Sequence, residues 1–286
     1  MIKLAKGLLV ACAAVWPFGA GAQMPIGDGD MPAYQLDAEI SVFIGGMEIL
    51  KFDWQTIHKD GAYRSKSHVY PVGLVSMLFD IDVNSQAMGR IVDGVAIPQR
   101  FDSRYLEDGE EVRSVEIDFD ETGPIALVSM GGEQTMPDDE ILTQVGGMID
   151  PLSAAMFNQT FVSGGQVCAG SHSIFSGDSA YTLGFEFLRE TTLKKSRYTS
   201  FEGPAYICEV AGEPLAAFNE EAQERLDARS SEDKPSKLYI GRVITDDGNE
   251  FLVPVKVLVP TDFGTAVAHL TNFTISMVDD PLLAEK

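Results

Sequence analysis

The feature that most constrains the fold is an alternation of apolar and polar side chains, broken repeatedly by short Gly- and Asp-containing turns. Tyr34, Leu36, Ala38, Ile40 and Val42 fall on one face of an extended segment, with Gln35, Asp37, Glu39 and Ser41 mostly opposite. A period of two marks a strand with one buried face. Gly45 and Gly46 then turn the chain, and Leu50, Phe52, Trp54 and Thr56 line a second strand. The "KDG" at residues 59–61 signals a hairpin, and Tyr63, Ser65, Ser67 and Val69 follow on a third. Similar punctuation recurs as "EDGEE" at 107–111, "ETGP" at 121–124, "SGD" at 176–178 and "DDGN" at 246–249. A last alternation runs through Val267, His269, Thr271, Phe273, Ile275 and Met277. Short strands joined by such turns build an antiparallel sheet, a sandwich or a barrel. No strand–helix alternation is present, which argues against a doubly wound sheet.

Two segments read as helices. In "IDPLSAAMF", residues 149–157, Asp150 can cap the N-terminus and Pro151 suits the first helical position. Leu152, Ala154, Ala155, Met156 and Phe157 give it an apolar body, so residues 150–158 are expected to plug the open end of a curved sheet. The second, "NEEAQERLDAR" at 219–229, is polar nearly all round and reads as a solvated excursion between strands.

The start of the chain has the form of a secretory signal. Lys3 and Lys6 precede an apolar core, and "AGA" at 20–22 places small residues ahead of a cleavage point before Gln23. The expected organisation is therefore a signal peptide over 1–22 and a single β-rich periplasmic domain over 23–286. No stretch of the mature chain approaches transmembrane length. The formal charge is −22, and removal of Lys3 and Lys6 makes it −24. Such a mean field disfavours nucleic acid and anionic membrane surfaces.

Cleavage leaves two of the three cysteines, Cys168 and Cys208. In an oxidising compartment such a pair is most simply a disulfide, stabilising by on the order of 4 kcal/mol for a loop of about 40 residues. The competing reading, a metal site of Cys168, His172 and Cys208, lacks a fourth ligand and a C-x-x-C knuckle.

No catalytic set emerges. His58, His68, His172 and His269 stand in no metalloprotease frame, and there is no G-x-S-x-G elbow and no P-loop. The sequence calls for no cofactor and no metal. Asp118, Asp120, Thr122 and Gly123 match the first half of a calcium loop, but its last position falls on Ser129 where a bidentate glutamate is needed. Two basic patches stand out from the acidic background: Arg64, Lys66 and His68 with Lys59 nearby, and Lys194, Lys195 and Arg197. They are candidates for an anion site, such as a phosphorylated head group or a partner's acidic face. The plainer reading is an edge strand whose charges block aggregation.

Several segments together resemble a bacterial exported family catalogued as domain of unknown function 3108. The resemblance is carried by the strand and "GG" near residues 33–47, "IPQRFDSRYLEDGEEVRSVEIDFD" at 97–120 and "IDPLSAAMF". "CAGSHSIFSGDSAYTLGF" at 168–185, "AYIC" at 205–208 and "FLVPVKVLVPTDFG" at 251–264 complete it. In such proteins the turn after the Cys168 strand often reads Phe-Asp-Gly followed by basic residues. Here it is "FSGDS", residues 175–179, which puts a charge role at that turn in doubt. The resemblance implies an envelope protein with a strongly curved antiparallel sheet, similar to the half-barrel of periplasmic lipoprotein carriers. It brings no activity with it.

The expected fold is thus mainly β: a curved sheet of about ten to twelve strands with one short plug helix. The expected function is non-catalytic binding of an apolar ligand or a lipidated envelope partner on the concave face. Phe52, Trp54, Leu152, Met156, Phe157, Phe185 and Phe187 are the candidates to line that groove. The alternative is an assembly or interaction protein whose interior is filled by these same side chains; an enzyme comes third.

Overall fold

The computed structural model describes residues 33–92, 95–120, 123–130, 133–135, 143–157, 167–227, 234–246, 248–261 and 264–278. Residues 1–32, which include the expected signal segment, lie outside them. Fourteen strands among the described residues form a single sheet, more than the ten to twelve expected from the sequence. The first half is a meander: β1 (Tyr34–Ile44), β2 (Met47–Lys59), β3 (Ala62–Pro71), β4 (Ile81–Val92), β5 (Val95–Glu107), β6 (Glu110–Asp120), β7 (Gly123–Met130) and β8 (Glu133–Thr135). The second half is another: β9 (Ala169–Phe175), β10 (Ser179–Leu193), β11 (Gly203–Ala217), β12 (Ser236–Ile244), β13 (Glu250–Thr261) and β14 (Gly264–Met277). Helix α1 (Pro151–Phe157) lies between β8 and β9, and α2 (Glu220–Asp227) between β11 and β12.

The halves join through β1 and β14, which pair antiparallel from Tyr34↔Met277 to Ile44↔Ala266. The order across the sheet is therefore β8 to β1, then β14 down to β9, and the two outermost strands leave it unclosed. The alternation read in β1 and β2 sets which face turns inward: Tyr34, Leu36, Trp54 and Thr56 are buried. The sheet curls far enough for rings on non-neighbouring strands to meet. Tyr34 of β1 and Phe251 of β13 pack edge to face with centroids 5.5 Å apart.

The seam between the two free edges is closed by other means. Ile149 forms a parallel bridge to Ile174 of β9, with Phe175 N donating to Ile149 O at 2.9 Å. Gly177, in the β9–β10 turn, packs on Val115 of β6 so closely that a Cβ there would lie 2.5 Å from a Val115 methyl. Helix α1 then enters the space against β3, β4, β5 and β9. Leu152 joins Tyr63, Phe101, Val115, Ile117 and Phe175 in one core cluster, while Ala154 belongs to the larger cluster of β1, β2 and β10–β14.

Asp150 caps α1 as read from the sequence: its Oδ1 accepts the Ser153 backbone N–H at 2.8 Å. Helix α2 is capped by Asn219, whose Oδ1 accepts from Ala222 N at 2.7 Å. Ala222 is buried while Gln223 and Glu224 are exposed, which fits a surface excursion. The Cys168–Cys208 disulfide is formed, with Cα atoms 5.9 Å apart, and staples the start of β9 to β11 behind β10. It consumes both sulfurs that the metal reading would have required.

Candidate functional site

The outer, polar face of the sheet carries the candidate site. Because partners in an antiparallel sheet sit opposite one another, polar positions on successive strands fall into rows across it. One row runs Asn272, Glu39, Asp53, His68, Asn84 and Arg104, over β14, β1, β2, β3, β4 and β5. The next, two residues along each strand, runs Thr274, Asp37, Gln55, Lys66, Gln86 and Asp102. Between them lies a shallow, open groove of about 920 Å³. Its floor is the backbone around Ala38, Trp54, Ser67 and Ser85, and Met88 and Arg100 stand at its β4–β5 end. Six strands at about 4.8 Å spacing make it about 24 Å long.

The two walls consist of hydrogen-bonding side chains throughout, and their charge is unevenly spread. Asp37, Glu39 and Asp53 stand on β1 and β2; Lys66, His68, Arg100 and Arg104 stand on β3 to β5, with Asp102 the one wall carboxylate among them. Much of this set is cross-linked. Gln55 and Gln35 both donate to Asp37 at 2.7 Å. His68 Nε2 lies 2.6 Å from Asp82, and Lys51 lies 3.1 Å from Glu39. Arg100 reaches Asp102, Glu116 and Asp118 at 2.9–3.2 Å, and the hydrogen bonds it donates to Asp102 are the main reason its pKa is raised. Asp118, one of the calcium-loop candidates, is thus engaged by a guanidinium, while Thr122 lies outside the described residues.

The two basic patches do not merge. Arg64, Lys66 and His68 alternate on β3 on the groove side, as their spacing predicts. Lys194, Lys195 and Arg197 are exposed in the β10–β11 connection. There Arg197 stacks over Tyr198 at 4.5 Å, Tyr198 stacks on His269 at 5.7 Å, and Phe43 meets both rings edge on. Phe43 lies four positions along β1 from Glu39, about 13 Å at the rise of a strand, and β3 is two strands further over. Burial, with Lys256 beside it, pushes the His269 pKa down to about 4, so this ring is neutral at neutral pH.

The apolar-groove candidates are mostly core. Phe52, Trp54, Leu152 and Phe185 are 8, 2, 6 and 9 % exposed. The Trp54 indole N–H donates to Ser65 Oγ at 2.8 Å, a bond internal to the fold. Phe187 stands apart from them: it is 44 % exposed beside a bulge in β10 and packs edge on against Tyr206. The side chains of Met156 and Phe157 lie outside the described residues.

Sequence reading missed two constellations. Beneath α1, the Tyr63 and Ser153 hydroxyls are 2.5 Å apart and Asp150 is fully buried. Burial pushes the Asp150 carboxyl up to about 6 against the lowering effect of its Ser153 hydrogen bonds, and desolvation raises Tyr63 well above 10. Tyr63 lies over Gly89, where a Cβ would fall 2.7 Å from its hydroxyl. With Ser153 and Asp150 at zero exposure, this network can fasten the plug but cannot reach a substrate. The second constellation is the "FSGDS" turn. Asp178, 3 % exposed, receives Arg113 from β6 at 2.8 Å, so the turn whose charge role was in doubt does hold an ion pair. Neither contact has a local sequence signal.

Among the described residues no cluster of three or more His, Cys, Asp or Glu is arranged to hold a metal, and no helix is long and apolar enough to cross a membrane. In fold, the chain is similar to a solved β-barrel-like protein of domain of unknown function DUF1849 from Brucella abortus. The two share 9 % identity at a TM-score of 0.51, over 86 % of this chain and 98 % of that one. No curated protein matches the sequence. The profile of DUF3108, described as a protein of unknown function, matches residues 34–271, and the chain belongs to that family.

Proposed function

We propose that this is a non-catalytic, exported cell-envelope protein of the interaction type, with an interior filled by its own side chains and a polar outer face that meets its partners. The observation that carries the reading is the burial of Phe52, Trp54, Leu152 and Phe185 in the two core clusters. A carrier's cavity presents its apolar lining to open space; these residues lie within clusters of other buried side chains, Phe52, Trp54 and Phe185 in one and Leu152 in the other. The Trp54–Ser65 and Tyr63–Ser153 hydrogen bonds satisfy polar atoms inside the same interior, as a permanent core requires. The Cys168–Cys208 bond and the basic, then apolar, start of the chain support an oxidising compartment outside the cytoplasm. The outer groove suits a polar partner surface or chain, since its walls offer both donors and acceptors.

Native mass spectrometry of the protein recovered from its own cell envelope tests this reading. The expected species begins at Gln23, carries one disulfide and holds no stoichiometric lipid. One lipid retained per chain would overturn the self-filled interior in favour of an apolar carrier. The chain found in the cytoplasmic fraction of the same cells with Met1 intact, and absent from the envelope fraction, would overturn export.

A further inference from the structure

The connection between β3 and β4 exposes more apolar surface than a soluble turn needs. In "GLVSMLFD", residues 73–80, Leu74 is 64 % exposed, Met77 81 % and Leu78 74 %. Met47, 52 % exposed, extends the patch from the neighbouring β1–β2 turn. The two turns are bound together: Val72 N donates to Ile49 O at 3.0 Å, and a Cβ on Gly73 would lie 3.2 Å from Glu48 O. Residues Val75–Met77 form a 3-10 turn, closed by Leu78 N and Phe79 N on Val75 O and by Ser76 Oγ on Gly73 O. Val75 and Phe79 pack against the core, which leaves Leu74, Met77 and Leu78 directed outward. A contiguous set of large apolar side chains in water marks a contact surface.

The border of this patch is acidic. Glu48 and Asp80 flank it in sequence, and Asp108 N donates to Asp80 O at 2.9 Å, bringing the β5–β6 turn alongside. That turn adds Glu107, Asp108, Glu110 and Glu111, with Glu107 opposite Ile81 across the sheet. Of the cations in these strands, Lys51 is held by Glu39 and Arg104 lies 4.0 Å from Glu111. A Leu/Met surface rimmed by carboxylates is complementary to an amphipathic segment with apolar residues on one face and Lys or Arg beside them. The same rim repels an anionic bilayer.

We propose that this tip is the docking site for a basic amphipathic segment of a partner protein. The site goes beyond the function proposed above and stands whether or not the outer groove has a ligand of its own. Methionine and leucine accept varied apolar faces, and the acidic turn selects the charge and speeds encounter.

The test uses the full chain and a fluorescently labelled helical peptide of leucine and lysine in amphipathic order, followed by anisotropy. A matched peptide with glutamate in place of lysine and vesicles of phosphatidylcholine complete the set. The lysine peptide should bind and the glutamate peptide should not. The triple variant Leu74→Ser, Met77→Ser, Leu78→Ser leaves every charge in place and should weaken binding at least ten-fold, with an unchanged melting temperature. If the triple variant folds poorly, Met77→Ser alone should still weaken binding measurably, since that side chain is the most exposed of the set. Replacing Glu107, Asp108 and Glu110 by their amides should flatten the salt dependence. Equal binding by wild type and the serine variants would overturn the proposal, because attraction to the protein's net charge would then suffice. Partition into phosphatidylcholine vesicles without preference for the lysine peptide would overturn it in favour of membrane contact.

Discussion

Arg113 on β6 and Asp178 in the β9–β10 turn are 2.8 Å apart, and their ion pair spans the seam that the unclosed sheet leaves between its two halves. Asp178 is nearly inaccessible and also accepts from Ser176 and Ser179, both at 3.2 Å. Removing the guanidinium strands a buried carboxylate. Arg113→Met should therefore cost about 3 kcal/mol in urea denaturation. A cost below about 0.5 kcal/mol, ordinary for a surface pair, would mean that α1 and the Ile149–Ile174 bridge hold the seam unaided.

What was legible in the sequence and what was not divides along contact range. The faces of β1, the hairpin at residues 59–61 and the Asp150 cap depend on neighbours within a few residues, and each was readable. Strand β4 has no continuous apolar stripe to read: its inward positions include Ser85, Ala87 and Gly89, and at Gly89 the space is taken by Tyr63 of the neighbouring strand. The pairing of β1 with β14 joins residues more than two hundred positions apart, and nothing local in either strand specifies its partner. The rows that wall the outer groove are likewise products of register. Lys66 and His68 were visible as a patch, but their alignment with Gln86 and Asn84 follows only once β3 and β4 are paired.

The disulfide links residues separated by 40 positions, and its removal should cost on the order of 4 kcal/mol by the loop-entropy model. Thiol titration of an unfolded, unreduced chain that begins at Gln23 should find no free cysteine, and Cys168→Ser should lower the melting temperature under oxidising conditions. Two titratable thiols would contradict the bond.

Asp150 gives stability an unusual pH dependence. Its folded pKa of about 6 lies above the ordinary 3.8, so folding favours the protonated form. The stabilising contribution is fully present below the unfolded pKa and is lost as pH rises through about 6. Asp150→Asn keeps a capping oxygen and cannot ionise. Between about pH 4 and about pH 8 the stability difference should shift toward the variant, approaching about 3 kcal/mol. Urea denaturation of both proteins at the two pH values measures it; a constant difference would show that Asp150 does not titrate in this range.

Leu152 packs into the same cluster as Tyr63 and Phe101 at 6 % exposure. As part of a fixed plug, Leu152→Ala should cost about 2–5 kcal/mol. A loss of under about 1 kcal/mol would be the behaviour of a lid that lifts easily rather than of core.

The most direct test of the filled interior is titration of the delipidated chain with a fluorescent fatty acid. With Phe52, Trp54 and Phe185 packed against their own neighbours, the wild type should show no saturable uptake. Saturable binding of one probe per chain, with a change in tryptophan emission, would contradict the account and place a ligand where the core has been described.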